Sequence, residues 1–349
     1  MKLLVSALEN SANIHLKYLL EELGDDIELE GIFSSEFAQP IVDMRSNAIM
    51  GIGAAIKKIP FFLKLADRML EAAESADKVL LMDSSGFNLP LARKIKKSYP
   101  DKEIIYYILP QAWAWRRSRI EKLTRYCDRL CSILPFESSY YPEGSPIEYV
   151  GHPLLDEIEL FKDEPPEKRE RIAFLPGSRR SEIVSLMPHY RELRKRLDIK
   201  EALLVIPEYF CEEEISSLYG DLSAFKISHD AKTALYRSDF AFICSGTATL
   251  ESALTGTPFV LSYIAKKFDY MIASRVVKLE YIGLANIFSS HFQGRSMHPE
   301  LIQERVDAKN LLEAYEKMDT VRFAADVKAL RNYLEHGSAR RVAEIIMRG

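Results

Sequence analysis

The sequence predicts an α/β protein built from two doubly wound domains in series, and three observations carry that prediction. The chain has 349 residues, more than one hydrophobic core usually serves. Short β-branched and leucine-rich runs alternate with helical patterns almost throughout, the habit of parallel strands joined by crossover helices. Near the middle, Asp163-Glu164-Pro165-Pro166-Glu167-Lys168-Arg169-Glu170 has almost nothing to bury and reads as an interdomain linker. The expected domains are residues 1–160 and 171–349, with terminal helices that have the option of packing back on the first.

In the first half, strands are expected at residues 2–6, 27–33, 78–82, 103–108, 130–134 and 147–150. Between the first two, Leu16, Leu19, Leu20 and Leu23 recur at i, i+3, i+4 and i+7. Ser11 or Asn13 is the expected cap and Gly24 the stop, completing one βαβ unit. The second half restarts the pattern at residues 172–175, 202–206, 225–227, 240–244 and 259–263, then closes with helices from Asp307 onward. Two such domains leave a cleft at the carboxyl ends of their strands, where open α/β sheets bind ligands.

Composition narrows the class. Hydrophobic residues at 47% and charged residues at 28% are ordinary for a soluble globular chain. A net charge of -4 offers nucleic acid no overall attraction, so only a local patch could serve. Cys127, Cys131, Cys211 and Cys244 lack paired metal-ligand spacing and read as reduced core thiols. The apolar run at the start ends at Glu9 and reads as a first strand rather than a signal peptide. The most apolar stretch, residues 49–70, is interrupted by Lys57, Lys58 and Lys64, which rules out a membrane-spanning helix there. Its Ile56, Phe61 and Phe62 beside Lys57 and Lys58 fit an interfacial helix, or equally a core helix with snorkelling lysines.

Two loops in the second half suit an anion. Leu175-Pro176-Gly177-Ser178-Arg179-Arg180 is a glycine turn feeding a helix, where backbone N–H groups and a guanidinium can hold a diphosphate. A plain strand-to-helix turn with surface arginines is the equal alternative. Cys244-Ser245-Gly246-Thr247-Ala248-Thr249-Leu250-Glu251 opens another helix with small hydroxylated residues, and Glu251 can accept from two ribose hydroxyls. Together the loops fit a nucleoside diphosphate better than chance capping. No Gly-x-x-x-x-Gly-Lys-Ser/Thr loop, and no Gly-x-Gly-x-x-Gly after the first strand, points to an NTPase or a common NAD enzyme.

The first half places three polar loops after strands: Glu9 to Asn13, Asp83 to Asn88, and Gln111 to Trp115. Asp83 can act as general base toward a hydroxyl acceptor or merely cap a helix. Trp113 and Trp115 read as core, or as the lining of a sugar or acyl pocket. His152, in Val150-Gly151-His152-Pro153, reads as a ligand contact or, more commonly, as a structural hydrogen-bonder.

In this order, Glu9-x-Ser11, Phe87-Asn88, Pro110-Gln111-x-Trp113-Ala114-Trp115, Leu134-Pro135-Phe136-Glu137, Val150-Gly151-His152-Pro153-Leu154-x-Asp156, Leu175-Pro176-Gly177-Ser178-Arg179, Ser245-Gly246-Thr247-Ala248-Thr249-Leu250-Glu251, Ala285-Asn286-Ile287 and Pro299-Glu300-Leu301 resemble the lipid-A-disaccharide synthases. The likeness runs from Lys2 to about Glu304. It implies a GT-B fold of two Rossmann-like domains and an inverting transfer from UDP-2,3-diacylglucosamine to the primary hydroxyl of 2,3-diacylglucosamine 1-phosphate. The products are UDP and a β-1,6-linked disaccharide 1-phosphate. By the same likeness, Ser178, Arg179, Glu251 and Asn286 hold UDP, and Glu9, Ser11, Asp83, Asn88 and Gln111 surround the acceptor. It further implies no metal or redox cofactor, work at the cytoplasmic face of the inner membrane, and an interfacial role for residues 49–70. A homodimer is admitted and nucleic acid is not a partner.

Two departures bear on the chemistry. Where the family reads Gly-Glu-x-Ser-Gly-Asp, this chain has Leu8-Glu9-Asn10-Ser11-Ala12-Asn13. Where it reads Asp-x-Pro-Asp-Phe-Asn, Gly86 replaces the second Asp. Three routes stay open: Asp83 or Glu9 supplies the base, positioning and leaving-group stabilisation by Arg179 suffice, or the chain is inactive.

Overall fold

A computed structural model describes residues 1–43, 59–115, 118–265 and 280–348, without the side chains of Ile59, Ala114 and Trp115. It divides into two compact units: Met1–Glu157 with Leu334–Gly349, and Ile158–Tyr333.

The first unit is a parallel sheet in the order β3-β2-β1-β4-β5-β6-β7. Its strands are β1 (Lys2–Ala7), β2 (Glu28–Phe33), β3 (Val42–Asp43), β4 (Lys78–Met82), β5 (Glu103–Tyr107), β6 (Arg129–Ser132) and β7 (Ile147–Tyr149). Successive residues face opposite sides of a strand. Leu4, Val79, Leu81, Ile104 and Tyr106 therefore enter one core, while Leu3, Val5, Leu80, Met82 and Tyr107 enter the other. Both faces are covered, which is why these strands read as unbroken apolar runs.

Helices α1 (Asn10–Leu23), α2 (Ile59–Ser75), α3 (Ser85–Ser98), α4 (Ala112–Trp115), α5 (Ser118–Tyr126) and α6 (Pro153–Glu157) complete the first part of this unit. Between β1 and β2 the sheet tolerates only glycine at position 31. Its φ is +131°, and a Cβ there would stand 2.0 Å from the Val5 carbonyl oxygen.

The second unit is a parallel sheet in the order β10-β9-β8-β11-β12-β13. Its strands are β8 (Arg171–Leu175), β9 (Glu201–Val205), β10 (Lys226–Ser228), β11 (Phe240–Cys244), β12 (Phe259–Tyr263) and β13 (Glu300–Ile302). Around them lie α7 (Arg180–Arg196), α8 (Glu212–Tyr219), α9 (Ala231–Arg237), α10 (Thr247–Thr255), α11 (Leu284–Gln293), α12 (Ala308–Glu316) and α13 (Thr320–Leu334). An aromatic core joins Phe174, Tyr190, Phe225 and Phe242, with Phe174 and Phe242 stacked at 5.4 Å.

The chain then returns to the first unit. Helix α14 (Ser338–Met347) sets Val342 and Ile346 into the same core as Leu16, Leu19 and Leu23 of α1. The second unit thus ends at Tyr333 rather than running to the chain end.

Other details differ from the sequence expectation. Residues 161–170, which the sequence leaves between the expected domains, are bound into the second unit. Lys162 Nζ donates to the carbonyls of Leu235 (3.1 Å) and Ser238 (2.6 Å). The Arg169 guanidinium lies over the Tyr315 and Phe240 rings, at 4.8 and 5.5 Å. Strands β3 and β13 have two and three residues, too short for a period-2 signal. The N-cap position of α1 is Glu9, which makes no side-chain capping bond, and Ser11 and Asn13 lie inside the helix. Cys127, Cys131 and Cys244 are buried as expected of core thiols, whereas Cys211 is exposed.

Candidate active site

In an open parallel sheet, ligands bind at the carboxyl edge where strand order reverses. In the first unit that point lies between β1 and β4, whose last residues Ala7 and Met82 are paired. The loops that follow carry Glu9 and Asp83. Ser84 Oγ donates to Glu9 Oε1 at 3.0 Å, tying one loop to the other.

The turn after β4 is strained: Asp83 and Ser84 adopt φ of 49° and 37°, a region that side-chain-bearing residues enter at a cost of about 1–3 kcal/mol each. Fixed bonds hold it. Asn88, wholly buried, donates from Nδ2 to the carbonyls of Met82 (2.9 Å) and Asp83 (3.0 Å) and accepts from Ser6 Oγ (2.7 Å). Tyr106 Oη also donates to the Asp83 carbonyl. What the turn presents is the half-buried Asp83 carboxyl. Burial raises its pKa above the ordinary carboxylate value; a backbone hydrogen bond at Ser84 opposes this, the Glu9 charge adds to it, and His15 opposes it. A carboxylate with raised proton affinity is better matched to general-base work.

The second unit repeats the geometry. Its order reverses between β8 and β11, where Leu175 pairs with Ile243, and the two anion-suited loops follow those strands. Gly177 has φ +99°, and a Cβ there would stand 2.5 Å from Glu182 Oε2 and 3.2 Å from Cys244 Sγ. Only glycine lets the loops approach so closely. Ser178 and Arg179 are exposed at the start of α7, Gly246 and Thr247 at the start of α10, with Ser245 and Glu251 partly buried. Glu182, nearly buried, accepts the Arg179 backbone N–H (3.2 Å) and its guanidinium (2.9 Å), which aims Arg179 before any ligand arrives. The exposed Tyr209 donates its hydroxyl to the Ser178 carbonyl at 2.6 Å. Among the described residues no group of three His, Cys, Asp or Glu is placed to hold a metal.

Comparison with known proteins is decisive at this point. The sequence model described as lipid-A-disaccharide synthetase matches residues 3–340. The lipid-A-disaccharide synthase of Helicobacter pylori (strain J99) is 48% identical over 98% of this chain and 97% of its own. That of Campylobacter jejuni (strain RM1221) is 42% identical over 98% of each. This chain belongs to the lipid-A-disaccharide synthase family. It is a glycosyltransferase of lipid A biosynthesis.

Solved structures agree on the fold. A UDP-GlcNAc 2-epimerase from Neisseria meningitidis bound to UDP-GlcNAc superposes with TM-score 0.63, covering all of both chains at 12% identity. The calicheamicin glycosyltransferase CalG4 gives 0.58 at 12% identity, covering 99% of this chain and 97% of its own. At such identity the likeness shows the GT-B fold alone. The full-length match to synthases does not favour an epimerase.

Within the synthase family's motif strings, the structure separates residues left at the sheet edge from residues spent on holding it. Glu9, Ser11, Gln111, Ser178, Arg179, Gly246 and Thr247 are exposed. Five expected site residues are buried and engaged by the protein itself. Asn88, expected at the acceptor, is the buried clamp of the Asp83 turn. Asn13 donates to the Ala7 and Glu9 carbonyls and accepts from the Ser34 N–H, which leaves little for a ligand. Thr249 is buried, with its hydroxyl on the Gly246 carbonyl at 2.8 Å. Asn286, expected on UDP, is wholly buried: it donates to His298 O and Glu300 Oε1 and accepts from the Met297 and His298 N–H groups. His152 is 5% exposed, its backbone N–H donating to the Leu334 and Glu335 carbonyls, and burial pulls its pKa to about 3. Trp113 is core, edge-on to Phe136 at 5.0 Å. Ile56, Lys57 and Lys58, and the Trp115 side chain, lie outside what is described.

The sequence did not single out Glu182, which holds Arg179, or the His15–Glu157 contact. A Glu at the third position of a helix is a readable capping signal, so Glu182 was within reach. His15 meets Glu157 through Nδ1 and Oε1 across 142 residues of sequence, and no local pattern announces that. The Asn88 clamp yields a test. Asn88→Leu strands three buried polar partners, so the unfolding free energy in urea is expected to fall by about 1–3 kcal/mol, with turnover falling alongside. An unchanged midpoint would mean that the turn is held by something else.

Proposed function

We propose that this synthase joins UDP-2,3-diacylglucosamine to 2,3-diacylglucosamine 1-phosphate, with the acceptor held by the first unit and UDP by the second. The observation that carries the reading is that the loops of Glu9 and Asp83 meet at the β1/β4 switch point through the Ser84–Glu9 bond, in a family whose substrates are sugar lipids. Asp83 takes the proton of the acceptor hydroxyl as that oxygen attacks the anomeric carbon and the diphosphate leaves with inversion. The N–H groups at the starts of α7 and α10, with Arg179, receive the charge that develops on the diphosphate. Because Asp83 is present and held in place, Gly86 and Asn13 leave the chain with a base, which favours an active enzyme over a binding protein that has lost catalysis.

The same reading sets the enzyme peripherally on the cytoplasmic face of the inner membrane. On α2, Phe61 is 39% and Leu63 62% exposed, and Ile14 of α1 is 41% exposed. Phe62 instead turns toward Phe87, at 6.0 Å. Exposed bulky apolar groups on a helix are the means by which a soluble body rests in a headgroup layer. Among the described residues no helix is long and apolar enough to cross a membrane.

Labelled donor and acceptor supplied together are expected to give disaccharide and UDP, and neither substrate alone is expected to release UDP. Asp83→Asn should lower kcat by about 10²- to 10⁴-fold with UDP affinity unchanged. Arg179→Ala should weaken UDP binding about tenfold. A full rate in Asp83→Asn removes Asp83 as base, and no product from folded wild type removes the transferase reading. In sedimentation with phospholipid vesicles, Phe61→Glu with Leu63→Glu is expected to move the protein from pellet to supernatant; undiminished pelleting would place the membrane contact elsewhere.

A further inference from the structure

A turn that takes a diphosphate accounts for only part of a nucleotide. In UDP the base hangs from the diphosphate by one ribose, so the surface beside the Gly177 turn governs what the base meets. Residues 206–211, which follow β9 at the carboxyl edge next to β8, are part of that surface. Among them Tyr209 is 67% exposed, the most exposed aromatic side chain of the described residues. A ring of that size gains by burial, so one held out in water is poised for a partner.

Tyr209 is held from several sides. Its hydroxyl donates to the Ser178 carbonyl at 2.6 Å, inside the glycine turn. Its neighbour Phe210 is buried, lies 6.2 Å from the Tyr219 ring, and stands 4.6 Å from the Tyr209 ring, centroid to centroid. The backbone of the loop is tied to the end of β10, where the Ile206 N–H donates to the Ser228 carbonyl at 2.9 Å and His229 Nδ1 meets the Ile206 carbonyl at 2.8 Å. Arg180, the first residue of α7, pairs with Glu214 of α8, and Glu214 also accepts the Cys211 N–H at 3.2 Å. The loop after β9 is thus fastened to the loops of both neighbouring strands. With its hydroxyl engaged on Ser178, Tyr209 offers a ligand chiefly the face of its ring.

UDP contains a match for that face. Its diphosphate is charged and its ribose saturated, whereas uracil is a flat ring with π faces. We propose that the Tyr209 ring is the platform on which the uracil base stacks, its orientation set by the hydroxyl bond to Ser178. The inference rests on the reading that the second unit holds UDP. Arg179 and the N–H groups keep the diphosphate; Tyr209 adds affinity for the base. Stacking tolerates any base, so Tyr209 rewards the presence of a base rather than its identity.

The bond to Ser178 also gives Tyr209 a rival role, as a mere brace for the turn, and the experiment separates the two. Calorimetry measures the binding of UDP and of ribose 5-diphosphate, the same ligand without its base, to wild type, Tyr209→Ala, Tyr209→Phe and Arg179→Ala. Tyr209→Ala is expected to lose about 5- to 100-fold in UDP affinity and to bind ribose 5-diphosphate as wild type does. Tyr209→Phe, which keeps the ring, is expected to hold UDP more tightly than Tyr209→Ala. Equal losses for both ligands, or a Tyr209→Phe as weak as Tyr209→Ala, make the residue a brace and overturn the platform. Unchanged UDP affinity in Tyr209→Ala overturns it too, and a loss in Arg179→Ala beside that result spares the UDP reading. Absence of UDP binding by folded wild type overturns both. Should ribose 5-diphosphate bind too weakly to measure, or Tyr209→Ala fail to fold, NMR of the wild-type Tyr209 ring decides alone: stacking moves its signals upfield when UDP is added, and unmoved signals overturn the proposal.

Discussion

The first unit depends on one buried amide. Asn88 binds both carbonyls at the end of β4 and takes a hydrogen bond from Ser6 on β1, so two strands and the start of α3 are locked at one point. That lock keeps Asp83 and Ser84 left-handed without glycine. Released, the turn would relax toward ordinary φ, the Ser84 bond to Glu9 would lapse, and the carboxyl would lose its direction. Strain of this kind persists only where surrounding structure over-determines it.

The second unit solves the same problem with different residues. Glu182 reaches back to Arg179, Thr249 holds the Gly246 carbonyl, and Asn286 joins α11 to the chain entering β13. Glu300 adds to that clasp by accepting from the Ile282 and Gly283 N–H groups. These buried polar groups are held by fixed partners, which is how an interior tolerates them. The remainder, Ser178, Arg179, Gly246 and Thr247, is exposed at the sheet edge, where the proposed reading puts the nucleotide. A motif string is therefore a mixture of grips and fingertips.

Much of the architecture was legible because parallel strands covered on both faces leave apolar runs, and a strand forms at each of the eleven expected places. The switch points followed from topology, and the loops of Asp83, Gly177 and Ser245 followed from the switch points. What stayed hidden has physical causes. Strands β3 and β13 are too brief for periodicity. Asn and Thr look alike in sequence whether they bind a ligand or a backbone, so the fixed partners of Asn88, Asn13, Thr249 and Asn286 are not legible there. His15 and Glu157 meet only through the fold. The charged stretch near Asp163 read as linker because its stabilising contacts, such as Arg331 on Asp163 at 2.6 Å, lie far along the chain.

Family membership gives the reaction class, and the local geometry supports the proposed roles. The central claim is that the strained turn after β4 aims Asp83 at the acceptor hydroxyl. A crystal structure of the synthase with 2,3-diacylglucosamine 1-phosphate bound tests it most directly. The account predicts the primary hydroxyl oxygen about 2.6–3.2 Å from an Asp83 carboxylate oxygen. A hydroxyl seated against Glu9 instead, with Asp83 facing away, would contradict it.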